Sequence, residues 1–348
     1  MSSKIRIGLI GAGENTRVRH IPGFRQIPDV ELTSVANRSV ASAQQVARDF
    51  QIPQVCERWQ DVVADPKIHA VCIGTWPNLH CEITLAALAA GKHVLCEARM
   101  ARNLAEARQM LSAAQSHPRL VTQVVPSPFG LTYHNQVRQM IQDGFLGPLR
   151  EAVIIGADDQ FWDETRSLHW RQDAEISGNN ILAMGILHET LSRFAPPTTR
   201  VFAQSAVFEP TRPHPTSDTQ LQVTVPESVQ IVSQFEGGGR GIYHLSGMIL
   251  QGPGKQIHLY GRLGTIKLLF GAEEQLWCGR LGARELVRVQ LPPEQRGGWR
   301  VEAEFINAIR GEEPVSLTSF ADGVRYMEFT EAVARSLQTN LPVSLPIP

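Results

Sequence analysis

The segment IRIGLIGAGENTRVRH, residues 5–20, decides the fold of the first part of the chain. It contains an apolar run from Ile5 to Ile10, a turn with Gly11 and Gly13, and the start of a helix. Glycine permits the tight turn and lets a pyrophosphate approach the backbone, while the N–H groups and dipole of a helix N-terminus attract the anion. The sixth position of the GxGxxG pattern holds Thr16. The segment therefore predicts a dinucleotide-binding turn, with an ordinary strand-to-helix turn as the alternative.

Strand-like and helix-like segments alternate from this turn to residue 125, which indicates βαβ units and a parallel sheet of about six strands. Beyond residue 126, strands of alternating polarity follow with few helices between them, which favours a largely antiparallel sheet with helices on one face. We predict an α/β protein with a Rossmann domain over residues 1–125. An α+β domain with an open-faced sheet is predicted over residues 126–348.

Composition and charge limit the kind of protein this is. The chain has 348 residues, 43% of them hydrophobic, and 33 basic against 34 acidic side chains give a formal charge of −1. Without a net positive field, nucleic acid and acidic membranes are not expected partners. The five cysteines are odd in number and show no CxxC pair, and no window has the roughly 20 apolar residues of a membrane span. We expect a soluble cytoplasmic protein with no metal site.

The end of the second predicted strand bears on the choice of cofactor. It reads SVANRS, residues 34–39, with Asn37 where an NAD enzyme usually has an acidic residue that binds the ribose 2′-hydroxyl. Without that carboxylate, and with Arg38 and Ser39 as donors, NADP is preferred over NAD. The alternative is that Arg38 is a solvated loop residue.

Seven stretches give the chain a resemblance to a known family. They are GLIGAG (8–13), IGTWPNLHCEITLAALAAGKHVLCE (73–97), DGFLGPLREAVI (143–154), WRQDAEISG (170–178), YGRLGTIKL (260–268), FINAIRGEEP (305–314) and PVSLP (342–346). With these, the chain resembles the Gfo/Idh/MocA family over nearly its whole length. The resemblance implies NAD(P)-dependent oxidation of a hydroxyl of a sugar, cyclitol or similar polyol, or reduction of the matching ketone. It also implies a homo-oligomer, a dimer or tetramer, formed through the open face of the second sheet.

The resemblance also assigns residues to the cofactor. Beside Gly11 and Gly13, the cofactor-binding candidates are Glu14, Asn15, Asn37, Arg38, Ser39, Thr75, Trp76, Pro77, Asn78, His80 and Glu97. Glu97 is expected near the nicotinamide ribose. Trp76 interrupts the usual TPN spacing, either as an aromatic wall of the site or as core packing.

The lysine that normally transfers the proton is missing, because the family's EKP reads Glu97, Ala98, Arg99 here. The second signature has Ala183 in place of aspartate, and its histidine comes one residue late, as His188. His188 and Tyr133 are the predicted acid–base residues, with a hydrogen-bonded core histidine as the alternative for His188. The predicted substrate-side residues are Arg99, Trp170, Arg171, Asp173, Asn179 and Asn180, although Trp170 and Asp173 are also suited to fixing a loop.

Three functions are consistent with these substitutions. The first is an NAD(P)-dependent oxidoreductase acting on a sugar-like or polyol substrate, at a typical cost of about 10²–10⁴ in rate for lost acid–base help. The second is a ligand-sensing protein that kept the cleft without the chemistry. The third is a lyase or hydrolase that oxidises its substrate transiently and recycles the cofactor.

Overall fold

The computed structural model describes residues 4–348. The chain divides into two compact units: Pro126 and the residues before it together with Arg300–Arg325, and Ser127–Trp299 together with Tyr326–Pro348. The predicted division into 1–125 and 126–348 did not provide for the return of residues 300–325 to the first unit.

The first unit is built on a parallel sheet. Its strands are Ile5–Ile10 (β1), Val30–Ala36 (β2), Gln54–Val55 (β3), Ala70–Ile73 (β4), His93–Cys96 (β5) and Thr122–Val124 (β6). Its helices up to residue 126 include Ile21–Arg25 (α1), Val40–Asp49 (α2), Trp59–Ala64 (α3), Pro77–Ala89 (α4) and Leu104–Ser116 (α5). The strand order is β3-β2-β1-β4-β5-β6, and neighbouring strands are parallel.

Local sequence explains several of these elements. Strand β4 is buried at all four positions, as expected for a strand covered on both faces. The Ser39 hydroxyl accepts a hydrogen bond from the Ser42 N–H and caps α2, and Asn103 caps α5 in the same way. Pro77 occupies the first turn of α4, where its missing N–H is not needed.

The second unit is built on a nine-stranded sheet. The strands of the unit, including two outside this sheet, are Leu149–Ala157 (β7), Thr198–Ala206 (β8), Thr211–Pro213 (β9), Gln220–Gln222 (β10), Ser228–Phe235 (β11), Arg240–Ser246 (β12), Gly254–Gly261 (β13), Gly264–Phe270 (β14), Glu274–Arg280 (β15), Val287–Val289 (β16) and Val343–Ser344 (β17). The sheet order is β16-β15-β14-β13-β7-β12-β11-β8-β17, and β9 pairs with β10 separately. Every neighbouring pair of the large sheet is antiparallel except β7 with β12. The predicted fold class is confirmed.

The two faces of this sheet differ in character. Short helices of the unit lie at His134–Gln142 (α6), Ala174–Ser177 (α7) and Met184–Ser192 (α8). Leu187 of α8 packs so closely on Gly156 of β7 that an added Cβ would lie 2.7 Å from Leu187 Cδ1. On the other face Phe202, Val232 and Ile242 are 40%, 54% and 53% exposed, and β-pairing places them side by side on three adjacent strands.

The last two helices are Val301–Arg310 (α9) and Phe320–Thr339 (α10). Helix α9 packs against α1 in the first unit. Gln123 of β6 donates to the Glu304 carboxylate at 2.5 Å, and the Val124 N–H donates to the Thr318 carbonyl at 3.0 Å. These contacts tie the returning segment to the edge of the parallel sheet. Among residues 4–348, none of the helices has both the length and the apolar composition that crossing a membrane requires.

Candidate functional site

The turn after β1 has the geometry that a phosphate needs. Gly11 has a φ of +82°, and a Cβ built there would lie 2.6 Å from the Thr75 backbone nitrogen. Only glycine fits this position without displacing the adjoining strand end. At Gly13 the nearest atom to an added Cβ is the Gly74 carbonyl oxygen at 3.8 Å, so this side of the loop is open.

The helix that follows the turn is not a regular α-helix. Residues 14–25 are helical throughout, and Thr16–His20 form a π-helical turn before α1 begins. The wider turn aligns residues five apart, and Asn15 Nδ2 lies 3.5 Å from His20 Nε2. Such π-turns often occur at functional sites. Here the turn points two polar side chains of one helix toward the end of β5.

At the end of β5 these side chains meet a carboxylate. Asn15 Nδ2 donates a short hydrogen bond to Glu97 Oε1, and His20 Nε2 lies 2.9 Å from the same oxygen. His20 Nδ1 lies 2.5 Å from Glu302 Oε1 of α9. Glu97 Oε2 accepts a hydrogen bond from the Ala98 N–H at 3.2 Å. Three segments distant in sequence thus converge beside Ala98.

The pKa values of this cluster are shifted away from the usual values. Burial lowers the pKa of His20, but its hydrogen bonds to Glu302 and Glu97 outweigh burial and raise that pKa to about 9. Burial opposes ionisation of Glu97, yet the bonds from His20 and Asn15 hold its pKa below the usual value. At neutral pH the cluster therefore contains an imidazolium and an ionised Glu97.

The loop after β4 is fixed to the segment after Glu97. His80 lies between two carbonyl oxygens, 2.9 Å from that of Arg99 and 3.0 Å from that of Thr75. Burial lowers the pKa of His80, so its single proton serves one carbonyl at a time. The Ala98–Arg99 peptide is cis, and Arg99 is buried rather than presented on an open surface.

Two buried oxygens beside this loop are free to bind a ligand. Within the part of the chain that the structure describes, Thr75 Oγ1 and Asn78 Oδ1 are buried without a hydrogen-bond partner. A buried polar atom without a partner costs about 1–3 kcal/mol, and such groups usually have a ligand or water. Together with the turn at Gly11, they fit a dinucleotide bound at this end of the sheet.

At the end of β2, one residue holds the phosphate loop and the next presents an exposed guanidinium. Asn37 Oδ1 accepts from the Ala12 N–H at 2.7 Å and its amide donates to Ser42, so Asn37 holds the phosphate loop. Arg38 is exposed, and its guanidinium lies 5.2 Å from the centre of the Trp76 indole. This cation–π pair gives Trp76 a defined partner at the surface. Glu14, at the start of the helix, is also exposed.

The predicted acid–base residues lie in the core of the second unit. His188 is 7% exposed, its Nδ1 is 2.8 Å from the Tyr243 hydroxyl, and its ring stacks on Phe329 at 3.6 Å. Burial lowers the pKa of His188 to about 3. This environment does not support the predicted proton transfer by His188 and fits the alternative of a hydrogen-bonded core histidine. Tyr133 is likewise buried, and its hydroxyl donates to the Val289 carbonyl at 3.4 Å.

The predicted substrate-side residues of the second unit lie in or close to the segment between β7 and α8. The Arg171 guanidinium stacks over the Trp170 ring at 4.1 Å. Asp173 caps α7, and Asn179 donates to Glu331 at 2.9 Å. Asn180 is buried and donates to the Ser177 carbonyl at 2.7 Å.

A buried ion pair fixes this segment. Arg212 donates to Glu227 at 2.9 Å and to the carbonyls of Phe161 and Asp163. Gln172 donates to the same Glu227 carboxylate at 2.8 Å. The two ends of the stretch that carries Trp170 and Arg171 are therefore attached to one buried pair.

Two residues of the first-unit cluster, His20 and Glu302, were not predicted from sequence. The sequence contained one signal for His20, which is its position five residues after Asn15. That spacing brings the two side chains together in a π-helical turn. Glu302 lies 282 positions from His20, and no local pattern connects the two.

Comparison with known proteins assigns the chain to a family. Residues 5–124 match the Gfo/Idh/MocA oxidoreductase family, which has an NAD-binding Rossmann fold, and residues 134–267 match the Gfo/Idh/MocA C-terminal domain. The chain belongs to the Gfo/Idh/MocA family. The resemblance drawn from the sequence is confirmed, and the protein is a member of an oxidoreductase family with an NAD-binding Rossmann fold.

The individual relatives have low sequence identity to this chain, but they align with most of its length. Trans-1,2-dihydrobenzene-1,2-diol dehydrogenase of Sus scrofa is 26% identical over 276 residues, which are 79% of this chain and 74% of the relative. Levoglucosan dehydrogenase of Pseudarthrobacter phenanthrenivorans is 24% identical and covers 98% of both chains. A solved structure of levoglucosan dehydrogenase in complex with NADH and levoglucosan has a TM-score of 0.87 at 21% identity, over 99% of this chain and 100% of that one. This Gfo/Idh/MocA member therefore shares the whole two-unit fold.

Proposed function

We propose that this Gfo/Idh/MocA protein oxidises a hydroxyl of a sugar-like or polyol substrate, or reduces the corresponding ketone, with NADP preferred over NAD. The observation that carries the proposal is the turn at Gly11, whose left-handed backbone lies against Thr75 and opens onto the helix of residues 14–25. The names of two relatives, dihydrodiol dehydrogenase and levoglucosan dehydrogenase, support the substrate class.

In this proposal the first unit holds the dinucleotide. The N–H groups of residues 13–15 bind the pyrophosphate, Arg38 and Ser39 bind the 2′-phosphate, and Thr75 and Asn78 supply buried polar oxygens. Trp76 and Pro77 flank this end, and Glu97 lies beside the nicotinamide ribose. When bound, the nicotinamide accepts or releases the hydride. The predicted substrate-side residues are Arg99 in the first unit and, in the second unit, Trp170, Arg171, Asp173, Asn179 and Asn180.

Ala98 stands where the family has its proton-carrying lysine, and the burial of His188 supports the core-histidine alternative for that residue. Water bonded within the site is the proton acceptor that remains in this proposal, and turnover is correspondingly slow. The same substitutions favour a second candidate, a family member that binds nucleotide and ligand as a sensor without turnover.

A pair of glycine variants tests the cofactor site. Gly11→Ala adds a Cβ close to the Thr75 nitrogen at a positive φ and is expected to abolish binding of NADPH and NADH, measured by nucleotide fluorescence. Gly91→Ala is the matched control, because its φ is +73° and nothing lies within 4 Å of an added Cβ. Equal loss in both variants, or no binding by the unmodified protein, contradicts the proposal.

A substrate screen separates the two candidate functions. The unmodified protein is incubated with each nucleotide and with levoglucosan, other anhydrosugars, polyols and keto-sugars, while nicotinamide absorbance is followed. Slow turnover with tighter binding of NADPH than NADH is expected. Tight binding of nucleotide and sugar with no absorbance change supports the sensor instead.

We further propose a homo-oligomer, a dimer or tetramer, in the cytoplasm. The exposed row of Phe202, Val232 and Ile242 supports association through the open face of the second sheet, because contiguous apolar surface often marks an interface. The five cysteines are free thiols, as is usual in a reducing compartment.

A further inference from the structure

His20 is held between two carboxylates and is fully buried. Its relative exposure is 0%, with Nε2 at 2.9 Å from Glu97 and Nδ1 at 2.5 Å from Glu302. The charged form of a buried histidine is unfavourable unless anions compensate for lost hydration. Both ring nitrogens face carboxylate oxygens, and only an imidazolium donates a proton to each of them.

The groups that face His20 come from several elements. Glu97 lies at the end of β5 and Glu302 on α9, while Asn15 lies on the same helix as His20. His80 on α4 and the Cys72 thiol on β4 interact electrostatically with Glu97. Burial raises the pKa of Cys72 and lowers that of His80, so neither adds a charge at neutral pH. His20 therefore supplies one positive charge between the Glu97 and Glu302 carboxylates, which reduces the net negative charge of the cluster.

The position of this charge matters because of its neighbours. Asn15, which binds Glu97 directly, lies in the first turn of the helix that follows the phosphate loop. A helix N-terminus attracts anions. Two uncompensated carboxylates at the same place repel the pyrophosphate and oppose that attraction.

We propose that His20 is a positioning residue for the dinucleotide: as an imidazolium it holds Glu97 beside Ala98 and offsets part of the negative charge next to the phosphate-binding turn. The inference rests on the proposed function, since it concerns the same cofactor site. It adds a residue to that site, one that acts through Glu97 and need not touch the cofactor.

The test is the affinity for NADH and NADPH between pH 7 and pH 10. His20 titrates with a pKa of about 9, so the unmodified protein is expected to bind with constant affinity up to about pH 8 and progressively more weakly above it. His20→Gln is expected to bind roughly tenfold or more weakly at pH 7.5 and to lose the dependence above pH 8. Removing the second carboxylate in His20→Gln/Glu302→Gln restores part of the affinity, because one anion fewer remains.

His117→Gln is the matched control in the same unit, because its ring binds only a backbone carbonyl at the end of α5. Its nucleotide affinity and pH dependence are expected to equal those of the unmodified protein. Imidazole NMR of the unmodified protein gives a second measurement that needs no variant to fold. It is expected to show one histidine, absent from the His20→Gln spectrum, fully protonated at pH 7.5.

The outcomes separate the two proposals. If the unmodified protein binds neither nucleotide at pH 7.5, the proposed function fails. If it binds well but with unchanged affinity up to pH 10, or if His20→Gln binds as tightly as the unmodified protein, the proposed function stands and the role of His20 is overturned. A neutral His20 in the NMR spectrum at pH 7.5 overturns it as well.

Discussion

At the scale of single residues, the surroundings of His188 favour the core-histidine alternative over the predicted acid–base role. A side chain one residue further along a helix is rotated by about 100°. His188 bonds to Tyr243 and stacks on Phe329, and its low pKa leaves it neutral at physiological pH. A neutral, buried imidazole whose Nδ1 is hydrogen-bonded contributes mainly to core packing.

His188→Asn tests this conclusion. The amide keeps a polar partner for Tyr243 but removes the ring stacked on Phe329, so the free energy of unfolding is expected to fall by about 2–5 kcal/mol, as for other large-to-small core changes. The kcat of the folded variant is expected to change less than threefold. Denaturant unfolding and steady-state kinetics provide the measurements, with Tyr243→Phe as the control that removes only the hydroxyl. A kcat lower by about 10²-fold or more with unchanged stability would instead identify an acid–base residue.

At the scale of elements, local sequence patterns predicted the parallel sheet. They did not predict the contacts between segments that are distant in sequence. Strand β1 lies at the predicted residues because an apolar run bounded by a turn is a local signal. The phosphate turn was predicted from six neighbouring residues. The contacts of Glu302 depend on the return of α9 to the first unit, which no periodicity reveals.

Two histidines join neighbouring strands of the parallel sheet in a way that depends on pH. His69 Nδ1, just before β4, accepts a hydrogen bond from the Arg6 N–H of β1 at 3.0 Å. His93 Nδ1 in β5 accepts one from the Val121 N–H, just before β6, at 2.8 Å. Burial lowers the pKa of both side chains by disfavouring the charged ring. Only the neutral ring accepts these two bonds.

We expect acid to weaken these two links. Since both pKa values in the folded protein lie below the unfolded value of 6.5, the stability that they contribute is complete above that pH and is lost as the pH falls below it. The double variant His69→Asn/His93→Asn keeps an acceptor at each position but cannot titrate. Its Tm is expected to fall less than that of the unmodified protein between pH 7 and pH 5, measured by thermal unfolding. If the Tm of the two proteins falls equally between pH 7 and pH 5, His69 and His93 are not the source of the pH dependence.

At the scale of the whole molecule, the open face of the nine-stranded sheet sets the expected assembly. Val232→Glu places a charge in the middle of the apolar row and is expected to shift the protein toward monomers by at least tenfold in the dissociation constant, because a buried unpaired charge is costly at an interface. Sedimentation velocity measures the shift. Leu281→Glu is the control, since Leu281 is 80% exposed at a turn away from this row. A protein that is monomeric before mutation would remove the basis for the expectation.

The return of residues 300–325 to the first unit has a consequence for how the protein is made in the cell. Synthesis proceeds at about 5–20 residues per second, so roughly 10–35 seconds separate the emergence of residue 126 from that of Glu302. During that interval the nascent nucleotide-binding half has His20 and Glu97 but not the second anion, and the edge of β6 has no cover from Thr318. The first unit therefore completes its folding only after residues 300–325 have also been translated.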